Sequence, residues 1–416
     1  MTIFGLAQGE VTSLMTAVVG RELDQAAVTE LFARATWSGI AEPGDRVAGS
    51  VVNALGAADT LAALVEGRPP EWWWTTAADR GADFTLEDFE KALKRWMPRL
   101  DIPLSLVAVR QAARYAVRFL VPADELWPES LNDLGEHAPI ALWQRGSDDA
   151  VRSLSRSFAL VGARAATGYG EHITMEASAG LVDRGYSIVS GAAYGIDGMA
   201  HRAALASRGT TIAFLAGGVD RFYPSGHDAL LTRIVETGVV LSELPCGSAP
   251  TKWRFLQRNR LIAAAGLATV VLEAGWRSGS LNTAGHAASL GRPLGAVPGP
   301  VTSAASAGCH RLIREYAAVC VTTVDEMAEL APLDTNPMLP VVVETADSNG
   351  IRVIDALSAR APRQAADIAA RSGLSVSAVQ SVLGRFELEG RVVERERGWL
   401  KPSPPTRKEE GADVKT

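Results

Sequence analysis

Cysteine is scarce in this chain: Cys246, Cys309 and Cys320 are the only three in 416 residues. Odd in number and scattered, they exclude a disulfide framework and a CxxC zinc knuckle, and they suit a reducing compartment. The N-terminal stretch has no basic run ahead of an apolar segment, and no apolar run reaches the roughly 18 residues that cross a bilayer. A soluble, cytoplasmic protein without membrane association is expected. Positive charge is also short, with net charge −6 and a sequence pI near 5.7. Any site for a polyanion must then be a local basic patch rather than a bulk field. GxGxxG, GK[ST] and GxSxG are absent, and no His, Cys or carboxylate set has zinc-ligand spacing, so no cofactor, metal or nucleophile is assigned.

What the chain does have is organisation. Its hydrophobic content of 47% supports a large core and two or three domains at about 100–200 residues each. Residues 1–125 are rich in Ala, Leu and Val at helical spacing, broken by Pro43, Pro69, Pro70, Pro98 and Pro103, and read as an N-terminal helical domain. Trp72-Trp73-Trp74 within it reads as partly core. Residues 126–335 change pattern. From Ser157 to Leu330, β-branched runs alternate with Ala-rich helical stretches and Gly marks each join. This is the signature of an α/β fold with a doubly wound, Rossmann-like parallel sheet covered on both faces. Seven strands are expected, at 158–162, 187–190, 211–215, 239–242, 269–272, 294–297 and 319–322. Residues 336–348 read as a linker. Residues 349–402 read as a winged helix, with helices at 351–357, 364–371 and 375–389 and a hairpin at 391–400. Residues 403–416 read as a disordered tail.

The stretch Thr251-Lys-Trp-Arg-Phe-Leu-Gln-Arg-Asn-Arg-Leu-Ile-Ala263 gathers four cations, two aromatics and two amides without a carboxylate. Chains that grip a phosphate backbone and stack its bases need that mixture, although a solvated, Arg-rich helix face would look similar. Glycine-bearing turns recur between strands and helices. Val161-Gly-Ala-Arg164 places Gly162 and Arg164 where backbone N–H groups and a cation suit a phosphate. Gly191 opens the second crossover, and Ser278, Gly279 and Ser280 open a later one. Several such turns on one rim of a sheet mean more than any one of them. Asp197 and His201, four residues apart, would share a helix face, but no third ligand lies at a zinc-like spacing, and Asp197 reads as a helix-start or loop-fixing residue rather than a catalytic one.

Ordered motifs then bring a family into view. They are Val161-Gly-Ala-Arg164, Val189-Ser-Gly191 with Gly195-Ile-Asp197, Gly218-Val-Asp-Arg-Phe-Tyr-Pro224, Ser242-Glu-Leu-Pro245, Phe255-Leu-Gln-Arg-Asn-Arg260, Ser278-Gly-Ser-Leu281 and Ala296-Val-Pro-Gly299. Over about half its length the chain resembles the DNA-processing protein A family, also called Smf. The resemblance implies a single-stranded DNA-binding protein that loads the RecA recombinase, as in natural transformation, and that forms a homodimer through the Rossmann-like domain. The family's DNA pocket carries over onto Arg164, Lys252, Phe255, Arg258, Asn259 and Arg260. Two departures stand out: Ala163 where the family has Ser, and Leu256 where it has Pro. An alternative from another class is a nucleoside-monophosphate phosphoribohydrolase on a related fold, which Glu273 and Gly279 loosely suggest. Its Pro-Gly-Gly-x-Gly-Thr signature is missing.

Overall fold

In the computed structural model, residues 2–333, 348–359 and 361–401 are described. The expected linker lies outside the described residues except for Ser348, and the expected tail lies wholly outside them. The described residues divide into two compact units, one up to Leu333 and the other made of 348–359 and 361–401.

In the first unit, a hairpin of β1 (Thr2–Ile3) and β2 (Leu6–Ala7) leads into seven helices. These are α1 (Gln8–Val19), α2 (Gln25–Ile40), α3 (Arg46–Leu55), α4 (Ala57–Val65), α5 (Pro70–Ala78), α6 (Leu86–Trp96) and α7 (Ile102–Arg114). Local chemistry sets their starts. Asp24, Asp45, Thr85 and Asp101 each accept a backbone N–H of the first turn, offsetting donors that have no intrahelical partner. Of the three consecutive tryptophans, Trp73 is fully buried against Phe89 while Trp74 faces solvent. No single helix among the described residues is long and apolar enough to cross a membrane.

Nine strands form one sheet in the order β11-β10-β9-β5-β6-β7-β8-β4-β3. All seven expected strands are present: β5 (Ser157–Gly162), β6 (Ser187–Ser190), β7 (Thr211–Phe214), β8 (Val239–Ser242), β9 (Ala268–Glu273), β10 (Leu294–Ala296) and β11 (Val319–Cys320). They pair in parallel. Two more, β3 (Arg118–Leu120) and β4 (Leu142–Gly146), add antiparallel to the β8 edge and make the sheet mixed. β4 escaped the sequence pattern because its Trp143-Gln144-Arg145 stretch breaks the apolar run that marks a strand buried on both faces. β3 also falls inside the expected helical domain. Moreover, one core joins Val11, Phe32 and Val109 of the helices to Phe119, Trp143, Ala213 and Val240 of the sheet. The packing therefore crosses residue 125, where a domain boundary was expected.

Alternation along the strands sorts the two faces. Phe158 and Leu160 pack with α9 (Gly168–Asp183) and α10 (Ile196–Ala206), joined by α15 (Val324–Glu329). Ala159 and Val161 pack with α12 (Lys252–Ala265), α13 (Ser280–Ser289) and α14 (Ala307–Glu315). The remaining helices of this unit are α8 (Asp148–Arg152) and α11 (Asp228–Thr237). From β5 the chain winds outward through β6, β7 and β8. It then returns along α12 to β9 on the other side of β5. Such a reversal leaves a crevice beyond the carboxyl ends of the central strands.

The second unit has the expected winged-helix order: α16 (Ser348–Ala356), α17 (Ala365–Ser372), α18 (Val376–Leu388), β12 (Val393–Arg395) and β13 (Gly398–Leu400). Ser375 caps α18 by accepting the Ala378 N–H, and Gly373 ends α17 with φ +66°. Val353, Ile368, Val379, Leu383 and Phe386 form its core.

Candidate nucleic-acid interface

The crevice is built from four crossovers. At the end of β5, a side chain on Gly162 would come within 2.5 Å of Ile196 and 2.8 Å of the Glu273 carbonyl, so only glycine lets α10 approach. Thr167 caps α9, and its N–H and hydroxyl both donate to the Glu273 carboxylate, at 2.8 and 2.6 Å. Glu273, the group a hydrolase would use, is buried and does not line the crevice. Its work is to hold the turn that leaves Arg164 exposed.

The β6–α10 crossover is tied down by Asp197, which accepts the backbone N–H of Gly191 at 3.2 Å and those of Ala193 and Gly162. Burial pushes its carboxyl up, against the pull of the Arg258 guanidinium. Asp197 thus takes the loop-fixing role expected of it. Arg258, only 5% exposed, donates from Nη1 to the carbonyls of Gly191 (2.7 Å) and Phe214 (2.6 Å), and from Nε to Asn259 Oδ1 (3.2 Å). Burial lowers its guanidinium to about 10 despite the Asp197 charge. Arg258 is a buried strut, with those contacts already made.

Helix α12 starts at Thr251, whose side chain accepts the Arg254 N–H. Lys252 is exposed. Arg254 turns away to Glu42, at 2.9 and 3.1 Å, and Arg99 pairs with the same carboxylate. Burial alone would raise Glu42, but these two cations hold it below its ordinary value. Two guanidiniums approach the Phe255 ring, that of Arg164 at 5.2 Å and that of Arg258 at 5.7 Å from its centroid, with the Tyr223 ring at 5.6 Å. Asn259 donates to Asn282 Oδ1 at 3.2 Å. After β9, the loop Gly275-Trp-Arg-Ser-Gly-Ser280 closes the far wall, and Ser278 and Ser280 hydroxyls share a 2.7 Å hydrogen bond.

Together these walls enclose a cleft of about 850 Å3. Of the expected site residues, Gly162, Arg164, Lys252, Phe255, Arg258, Asn259, Ser278, Gly279 and Ser280 line it. Gly191 lies in a smaller crevice that shares Phe255, Tyr223 and Pro250 with the main one. Arg260 does not reach the cleft, which corrects the expectation for that residue. It is buried, bidentate to Glu243 at 2.6 Å, and donates to the His137 carbonyl. The reason is helical geometry: residues two apart differ by about 200° around the axis, so Arg258 and Arg260 cannot share a face. Sequence reasoning missed Tyr223, Trp276 and Arg277 as lining residues. Arg277 had a visible signal in its place between two glycines at a strand-to-helix join. Among the described residues, exposed Arg164, Lys252 and Arg277 make no ion pair, and Asp197 is the one carboxylate in the wall.

Fold and site together define a doubly wound α/β protein with a cationic, aromatic cleft at the topological switch point of its sheet. The family described as DNA recombination-mediator protein A matches residues 118–332, and the DprA winged helix domain matches residues 340–396. A putative DNA processing protein DprA of Mycobacterium tuberculosis is 43% identical over 297 residues, spanning 68% of this chain and 76% of that protein. The DNA processing protein DprA of Streptococcus pneumoniae is 38% identical over 206 residues, 50% of this chain and 72% of that one. An X-ray structure of DprA from S. pneumoniae superposes with TM-score 0.55 at 28% identity, covering 71% of this chain and 95% of its own. This chain belongs to the DprA/Smf family of DNA recombination mediators.

Proposed function

We propose that the cleft binds single-stranded DNA without sequence preference, and that the protein acts as a cytoplasmic mediator that protects incoming strands and hands them to the RecA recombinase. One observation carries the reading: in one cleft wall the Phe255 ring has the guanidiniums of Arg164 and Arg258 against it, and the exposed Arg164, Lys252 and Arg277 make no ion pair among the described residues. Arg164, Lys252 and Arg277 supply charge for phosphates, and the backbone N–H groups near Gly162 and Gly279 add further donors. Phe255 and the Arg164 plane over it offer faces on which any base can stack, which gives tolerance of sequence. Arg258, Asp197, Gly191 and Glu273 act one step behind, fixing the turns. Homodimerisation through the α/β domain and contact with RecA are supported by family membership rather than by charge or spacing.

In the winged helix, Arg371 pairs with Asp367 and Arg391 with Glu389. Compensation of these cations within the domain supports a protein contact over duplex reading, while Arg395 and Arg397 of the hairpin make no ion pair among the described residues. Deleting residues 345–416 should then leave duplex affinity unchanged.

The deciding measurement is fluorescence anisotropy of labelled oligo-dT with the full chain and with Arg164→Ala/Lys252→Ala, at two salt concentrations, against a duplex. Tight, salt-sensitive, strand-selective binding lost in the double variant is expected; equal weak binding by both proteins would sink the reading. A pull-down with purified RecA that stays negative at micromolar concentration would remove the recombinase claim alone.

A further inference from the structure

Resting on the single-strand reading, we propose that the bound strand does not end in the cleft but continues over a second base-stacking subsite formed by Trp276, Arg311 and Tyr316. Trp276 belongs to the cleft wall, yet its side chain is 52% exposed. On its other side stands Arg311 of α14, whose guanidinium lies 5.1 Å from the Trp276 ring and 5.7 Å from the ring of Tyr316, itself 38% exposed. Arg311 Nε donates to Glu315 at 2.7 Å, which fixes the guanidinium between the two rings. The result is a ladder of aromatic, cation and aromatic that starts at the cleft mouth and runs along α14.

Single exposed aromatics are ordinary. This one differs in three respects. It is contiguous with a cleft already suited to nucleic acid, it is pre-oriented by a cation so that little ordering entropy opposes stacking, and its surroundings are positive. Arg311 and Arg314 share the Glu315 carboxylate, and the exposed Arg277 next to Trp276 in the cleft wall makes no ion pair among the described residues. A flat indole with open area, neighbouring guanidiniums and no base-edge donors in a fixed array suits stacking of successive bases rather than readout of one.

The test uses the full chain, Trp276→Ala and Trp276→Phe with an oligo-dT of about 15 nucleotides, near the upper site size of single-strand binders, and an abasic strand of the same length. Trp276→Ala should weaken oligo-dT binding by about 5- to 100-fold, the worth of one base stack, while Trp276→Phe keeps most of the affinity. On the abasic strand all three proteins should bind alike. The subsite is overturned if Trp276→Ala binds oligo-dT as the parent does, or loses equally on the abasic strand. It is also overturned if light scattering shows that Trp276→Ala changes the oligomeric state with DNA affinity intact, since the ladder would then be a protein contact. Failure of the parent chain to bind oligo-dT at all would instead remove the single-strand reading itself. Binding that depends on Arg164 and Lys252 but not on Trp276 would remove only the second subsite.

Discussion

A methyl group at position 191 would sit 2.3 Å from Arg258 Nη1. Gly191→Ala must therefore push the guanidinium off two carbonyls and leave a buried cation without its partners. A loss of about 2–4 kcal/mol is expected, read by chemical denaturation. His201 shows a second constraint at this scale. The Thr211 hydroxyl donates to the Ile188 carbonyl, so its oxygen accepts from His201 Nδ1–H at 2.6 Å, and Nε2 stays unprotonated with no partner. Burial lowers the imidazole to about 3. A depressed folded value means the unfolded chain binds the extra proton first. The contribution is thus fully present above the ordinary histidine value near 6.5 and is lost as pH falls toward 3. Stability should drop by at most about 1.4 kcal/mol per pH unit across that window. His201→Gln should flatten that part of the melting profile; an unchanged profile would show that other groups set it. Single residues such as Arg164, Lys252 and Phe255 were legible as candidates because their chemistry is unusual in an acidic chain. Trp276 was not, since an isolated tryptophan in a loop carries no period and no charge pattern.

At the scale of one element, α12 separates two jobs by rotation. Lys252, Phe255 and Asn259 lie on the cleft side, whereas Arg254 and Arg260 are spent on Glu42 and Glu243. Arg260→Met should therefore destabilise by about 3–5 kcal/mol through the stranded Glu243 carboxylate while leaving oligo-dT affinity nearly unchanged in the folded protein. Lys252→Ala should do the reverse, weakening binding without lowering the melting temperature. If Arg260→Met weakened binding as strongly as Lys252→Ala, the division would be wrong. The segment's wealth of arginine was plain in the sequence, but a list of cations cannot say which carboxylates lie across the helix. Glu42 lies in the N-terminal helical part of the chain, Glu243 at the end of the preceding strand, and the carbonyls that hold Arg258 on two other strand ends, so only packing could show that three of the run's four cations are structural.

Across the whole molecule, three exposed cations facing a strand set the salt response. With about 0.7 counterions released per single-strand phosphate contact, the slope of log K against log salt should be near −2, and Arg277→Ala should make it shallower by about 0.7. Because 1–333 is one compact unit, a chain ended there should unfold as a cooperative body and keep its oligo-dT affinity; a large loss would assign part of the cleft's work to the C-terminal unit. The alternation of β-branched runs, glycines and Ala-rich helices determined seven strands, the winged-helix order and the rim that carries the site, because periodicity and turn chemistry are local. Tertiary structure decided the rest: the antiparallel additions at the β8 edge, a core shared across residue 125, the inward burial of Arg258 and Arg260, and the Trp276 ladder. Each depends on which distant segment supplies a partner, and partner choice is settled by burial and charge compensation in three dimensions rather than by the spacing of residues along the chain.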